Sequence, residues 1–140
     1  LTIINKRKGN SMNTPNIPIS WGELFDKRTI LQIKLKNIKT KSALKNVKTE
    51  YDQLSTIFNT NFSKNINAKK LISDLKKVNQ KLWDIEDLIR DKERNKTFDK
   101  DFIKLARSVY FSNDDRSRIK RTINETFGSE LIEEKSYTDY

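Results

Sequence analysis

This 140-residue chain carries 29 Lys and Arg against 19 Asp and Glu, for a net charge of +10, and it has no Cys and no His. That composition excludes disulfide scaffolds, thiolate zinc sites, Cys nucleophiles and His general bases, so any catalysis would rest on carboxylates, Lys, Arg, Tyr or Ser. With only three Gly and two Pro, the long stretches of Lys, Glu, Leu and Ile predict an all-α protein large enough to bury a core.

No apolar run approaches the roughly 18–20 residues needed to span a bilayer. Leu1–Ile4 is too short for the apolar region of a signal peptide. A cytoplasmic protein without membrane contact is the expectation. No EF-hand-like spacing occurs, and neither a metal nor a cofactor is expected. The positive charge invites a nucleic-acid reading. Lys far outnumbers Arg, however, and Asn and Ile are also abundant, all residues of A/T-rich codons. The charge is spread along the chain, and Arg116–Arg121 is the one dense basic cluster. Nucleic acid is therefore not the expected partner.

Residues 1–19 read as an N-terminal arm, because Pro15 and Pro18 push their predecessors out of helical space. Lys8–Met12 back-translates to a purine-rich stretch before an ATG, which suggests that 1–11 is translated leader and Met12 the start. Residues 20–140 then make one helical-bundle domain.

The first helix starts at Ser20. Ser20-Trp-Gly-Glu23 is a capping box, and Ile19 with Leu24 fits a hydrophobic staple. Leu24, Leu31, Leu35 and Ile38 form its apolar face, flanked by a charged strip of Glu23, Asp26, Lys27, Ile30 and Lys34. A second helix over 42–59 carries Leu44, Val47, Tyr51, Leu54 and Phe58 at four-three spacing. The interval from Ile38 to Leu44 breaks the phase. It predicts a turn near Lys39–Lys41 and an antiparallel hairpin, with one bent helix as the alternative. The Asn-rich stretch Asn59–Asn67 reads as a loop with Phe62 and Ile66 tucked inward.

A third helix over Ala68–Arg94 has a heptad-like seam of Leu71, Leu75, Val78, Leu82, Ile85 and Ile89. A polar stripe of Asn79, Trp83, Glu86, Arg90 and Glu93 lies beside it. After a short link, Thr97 or Asp99 caps a fourth helix, which Gly128 stops after Phe127. Ser129–Tyr140 is an acidic tail, with Leu131, Ile132, Tyr137 and Tyr140 available to dock.

The fourth helix carries charges where its core should be. Its inward positions are Phe102, Ala106, Val109, Asn113, Arg116, Lys120, Ile123 and Phe127, apolar at both ends and polar in the middle. Buried cations require partners, so this stripe calls for either an internal ion-pair network or an anion-binding cleft. An antiparallel hairpin sets Glu86 level with Arg107, Trp83 with Tyr110, Asn79 with Asp114, and Asp74 near Lys120. Arg116 meets no carboxylate on the third helix. Glu23, Asp26, Glu133 and Glu134 are the candidates to face it.

On the network reading, salt bridges fix the register of the bundle, or long side chains simply reach water. On the site reading, the candidate ligand-binding residues are Glu23, Lys27, Asn79, Trp83, Glu86, Arg90, Arg107, Tyr110, Asn113, Arg116 and Lys120. Glu86 would be the acid or base if there is one, and Trp83 and Tyr110 would form walls. Such a cleft suits a small carboxylate or phosphate.

The strings Ile19-Ser-Trp-Gly-Glu-Leu24, Leu82-Trp-Asp-Ile-Glu-Asp87, Leu105-Ala-Arg-Ser-Val-Tyr110 and Glu133-Glu-Lys-Ser-Tyr137 resemble an uncharacterised bacterial family of short helical proteins, a domain of unknown function. The likeness covers about residues 17–140. It implies that the acidic tail belongs to the fold, and that partners come from glycosyltransferase or surface-polysaccharide systems. A looser likeness, through Asp26, Ile30-Leu31 and later cations, is to the all-helical chorismate mutases, which hold a dicarboxylate with Arg, Lys and Glu. The chain departs from them wherever the first pattern matches.

The expected architecture is a bundle of two antiparallel helical hairpins, about four helices, with a docked C-terminal tail. The expected function is a non-catalytic interaction or structural module with a protein partner or a second copy. The alternative is binding or turnover of a small anionic metabolite. A third possibility, nucleic-acid binding through 116–121, would show a steep salt dependence.

Overall fold

Ser20 sets where the first helix begins: its Oγ accepts the Glu23 amide at 3.1 Å. Asn65 and Asp99 cap later helices in the same way, accepting the amides of Ala68 at 2.9 Å and Phe102 at 3.0 Å. The resulting elements, in a computed structural model that describes residues 12–140, are α1 (Trp21–Asn37), α2 (Lys41–Phe62), α3 (Ile66–Arg94) and α4 (Lys100–Thr126). The leader suggested for 1–11 lies outside the described residues. Lys96, at φ 52°, turns the chain between α3 and α4, and Gly128 at φ 63° leaves α4 in the left-handed conformation that glycine adopts without a steric penalty.

The architecture is the expected all-α bundle. α1 packs on α2 and α3 on α4 as antiparallel hairpins, and α1 also packs against both α3 and α4. α1 is thus the central helix. Leu24, Phe25, Leu31 and Ile33 are all buried, although Leu31 and Ile33 point to opposite sides at 100° per residue. A helix enclosed on several faces has no single apolar stripe, which is why Phe25 and Ile33 escaped the sequence reading. Phe25 is fully buried and meets the rings of Phe58 at 5.1 Å, Phe62 at 5.2 Å and Phe127 at 5.9 Å. Ala68, Leu75 and Ile123 complete this cluster.

Several local expectations are corrected. The loop predicted over Asn59–Asn67 shrinks to residues 63–65, because α2 runs on to Phe62 and α3 starts at Ile66. Phe62 is buried as part of α2, whereas Ile66, in the first turn of α3, is 81% exposed. Of the two expected staple residues, Leu24 is buried and Ile19 is 40% exposed. The Glu23 carboxylate leaves the capping box for Lys120. The tail is docked, but Leu131, Ile132, Tyr137 and Tyr140 all stay exposed. It is held by Glu133 on Lys120, Glu134 on Arg121, and Tyr140, whose hydroxyl donates to Asp114 and whose ring meets Tyr110 and Phe111.

Candidate functional site

Gly22 is what allows α1 to approach α4. A Cβ there would stand 2.6 Å from the Lys120 carbonyl oxygen and 2.9 Å from Asn124 Oδ1. At that distance Asn124 Oδ1 accepts the Gly22 amide at 2.7 Å, and Ser129 Oγ accepts the Trp21 amide at 2.9 Å. Ser129 also donates to Asn124 Oδ1 at 3.1 Å. The first amides of a helix have no partner within it. Here Ser20 satisfies one, and residues more than a hundred positions away satisfy two others.

One turn along α1, Asp26 is the hub of a buried network. Its carboxylate accepts Arg116 Nε at 2.9 Å, Arg116 Nη2, and Asn79 Nδ2 at 2.9 Å. The Arg116 contact is two-pronged, the geometry in which a guanidinium holds a carboxylate most strongly. Asn79 Nδ2 also donates to Thr29 Oγ1 at 2.8 Å, and the Thr29 hydroxyl donates to the Asp26 carbonyl at 2.8 Å. Lys120 Nζ meets Glu23 at 3.0 Å, Glu133 at 2.7 Å and Asp26 at 3.9 Å. Asp26, Thr29, Asn79, Lys120 and Asn124 are all buried.

The charges are mutually stabilised. The hydrogen bonds that Arg116 donates to Asp26 hold its pKa above the ordinary value. Burial by itself would lower the Lys120 pKa, but Glu133, Glu23 and Asp26 outweigh it and the net shift is upward. The hydrogen bond from Lys120 in turn lowers the pKa of Glu133. Ser112 Oγ, on the same helix, is the one buried side-chain polar atom without a partner among the described residues.

Above this network runs an open groove of about 490 Å³ lined by Ile30 and Ile33 of α1, Asn79, Leu82, Trp83, Glu86, Asp87 and Arg90 of α3, and Val109, Asn113 and Arg116 of α4. It brings together six of the candidates read from the sequence: Asn79, Trp83, Glu86, Arg90, Asn113 and Arg116. Tyr110 lines an adjoining groove of about 540 Å³ that shares Val109 and Asn113 and is walled by Tyr137 and Tyr140. Glu23 and Lys120 belong to the network. Lys27 turns away to Glu50 on α2, at 2.6 Å. Arg107 is exposed, donating to Tyr110 Oη at 3.4 Å and lying over the Phe111 ring.

The cross-hairpin pairings are corrected as well. Glu86 accepts Arg90 one turn on at 3.3 Å rather than meeting Arg107. Asp74 is taken by Lys70 at 3.1 Å, so Lys120 finds its carboxylates on α1 and the tail instead. Asp114 bonds Tyr140, and Asn79 reaches α1. For Asn79 and Lys120 the reason is that α1 lies against both α3 and α4 and takes their polar groups, whereas Glu86 and Asp74 pair within α3 and Asp114 pairs with the tail. Thr29, Asn124, Ser129 and the close approach at Gly22 were not anticipated. Asn124 stands one turn beyond Lys120, which is the only sequence signal that pointed to it.

A family model, described as a family of unknown function, DUF6165, matches residues 15–140. The chain belongs to this family. The match takes in Gly22, Asp26, Asn79, Arg116, Lys120 and Asn124, and it runs through the tail that supplies Glu133. No curated protein and no solved structure matches the chain. Among the described residues, no helix is long and apolar enough to cross a membrane.

Proposed function

We propose that this DUF6165 chain is a non-catalytic interaction or structural module. The observation that carries this reading is the pairing of two inward cations, the half-buried Arg116 and the buried Lys120. Arg116 is held by Asp26, and Lys120 by Glu23 and Glu133. Cations already matched to internal carboxylates fix the register of a bundle, and they offer an incoming anion little uncompensated charge. Glu86, the one candidate acid or base, lies on the rim with Arg90 rather than in a dry pocket. The resemblance noted above adds a bacterial setting with partners from surface-polysaccharide or glycosyltransferase systems, and the cytoplasmic location expected from the sequence is kept as part of this proposal.

Light scattering after size exclusion, combined with co-elution assays, tests this reading. A defined dimer or a stoichiometric complex is expected, and a lone monomer that co-elutes with nothing would count against it. A thermal-shift series with dicarboxylates, phosphates and sugar nucleotides tests the opposite case, and no stabilisation is expected.

One observation favours a second reading, a small anionic ligand in the groove. Arg116 Nη1 is left over from the Asp26 contact and points to Asn113 Oδ1 at 3.4 Å, beside Trp83 and Arg90. On this reading a dicarboxylate raises the melting temperature of the native protein and leaves that of Asn113→Ala unchanged.

A further inference from the structure

The lysines look evenly scattered in the sequence, but the fold gathers four of them around a single carboxylate, Asp84. A groove of about 560 Å³ runs between the C-terminal end of α1 and the middle of α3, lined by Lys36, Lys76, Lys77, Lys81, Ile85 and Leu88 among others. Lys39, Lys41 and Lys45 continue the same charge around the adjoining α1–α2 turn. Asp84 accepts the Gln80 amide at 2.9 Å and forms no salt bridge among the described residues, so Lys36, Lys76, Lys77 and Lys81 outnumber the one lining carboxylate and the groove stays net positive. The groove stays open because α2 packs on α1 and makes no comparable contact with α3.

We infer that this groove is a docking surface for an acidic amphipathic helix of a protein partner. The inference rests on the interaction-module reading and supplies the chemistry of the partner. Three features select that occupant. First, the floor is apolar: Ile85 is buried and Leu88 is 52% exposed. An exposed Leu among lysines wants an apolar cover, which a phosphate backbone does not provide. Second, the cations lining the groove are all Lys, and neither Arg nor an aromatic ring is part of its lining. Bidentate phosphate recognition uses Arg, and single-stranded nucleic acid uses aromatic stacking platforms. Third, Lys77, Lys81, Ile85 and Leu88 fall at helical spacing along one edge of α3, so the stripe is roughly 16 Å long at 1.5 Å per residue. About three turns of a partner helix would cover it, with Leu-type anchors on the floor and Glu or Asp against the lysine rim.

The test is fluorescence anisotropy with a labelled synthetic helix bearing Leu at three-four spacing and Glu on both flanks. Its Glu→Gln and Glu→Lys versions and a duplex DNA serve as the other probes. The acidic helix is expected to bind the native protein at least about tenfold more tightly than the Gln version, and to weaken with salt. The triple variant Lys36→Glu, Lys77→Glu, Lys81→Glu should lose the acidic helix and gain the Glu→Lys one. Leu88→Gln should weaken binding while the circular dichroism spectrum stays native. Binding equal to that of the Gln version, or preference for the duplex through the same lysines, overturns the inference. So does acidic-helix binding that survives the triple variant. If Trp83→Ala instead abolishes that binding, the interaction-module reading stands and the lysine groove falls.

Discussion

Lys120 and Lys77 are the same side chain on neighbouring helices, and their surroundings are opposite. Lys120 is buried between α1, α4 and the tail, where Glu23, Glu133 and Asp26 surround it. Lys77 lines an open groove in which four lysines face one carboxylate, Asp84, itself hydrogen-bonded to the Gln80 amide. The seam between α1 and α4 is electrostatically closed, whereas the face between α1 and α3 is electrostatically open. A closed network holds the bundle in one arrangement, and an open one leaves its charge for something outside the molecule.

The sharpest way to break the contrast is at Asp26. Asp26→Ala leaves the half-buried Arg116 without its carboxylate and Asn79 with Thr29 alone, and is expected to cost about 2–4 kcal/mol in urea unfolding. Replacing both members of the pair, Asp26→Leu with Arg116→Met, should recover more than half of that loss, because no unpaired charge remains. A cost for Asp26→Ala as small as that of a surface change would show that the seam does not hold the bundle.

Gly22→Ala comes next. The added methyl meets backbone and the Asn124 side chain at distances that force α1 and α4 apart, so a loss of about 1–3 kcal/mol is expected by thermal or chemical unfolding.

Glu133→Gln is a smaller change. Its side chain is 40% exposed, so about 1 kcal/mol or less is expected after solvent screening. The tail should nevertheless be cleaved faster by a protease. The same contact gives a pH signature. Because Glu133 is lowered from 4.5 in the folded protein, its contribution is present above 4.5 and is lost as pH falls through the depressed value. Lys120 is raised from 10.5, so its contribution is full below 10.5 and is lost as pH rises through the raised value. Amide shifts of residues 130–135 in a pH titration should therefore stay constant through neutrality and move only at the two extremes.

The smallest effect is expected on the open side. Lys36→Gln and Lys77→Gln should change unfolding stability by no more than about 0.5 kcal/mol, since neither lysine has an internal partner to lose. A clear destabilisation would mean that this face is part of the fold after all.

The sequence made the four helices, the caps at Ser20 and Asp99, the stop at Gly128 and the polar interruption on α4 legible, but not the Asn65 cap of α3. Local chemistry decides them: Ser20 and Asp99 reach amides three residues away, and Gly128 accepts a positive φ. Asp26 was among the candidates to face Arg116, and it does. The register pairings of α3 with α4 failed because they treated that hairpin as if it stood alone. Asn79 and Lys120 both point to α1, and nothing within a helix records which neighbour will lie across it.

By itself, then, the sequence determined four helices, a stripe that had to be neutralised and a tail acidic enough to help neutralise it. Only the tertiary structure decided that α1 sits at the centre and that Gly22 brings it against α4. It also decided that Asp26 takes Arg116 and that Lys36 of α1 joins Lys76, Lys77 and Lys81 of α3 around one groove. The difference is physical: capping and periodicity act over a few residues, whereas pairing a buried charge depends on which surfaces the packing of α1 brings within about 3 Å of each other.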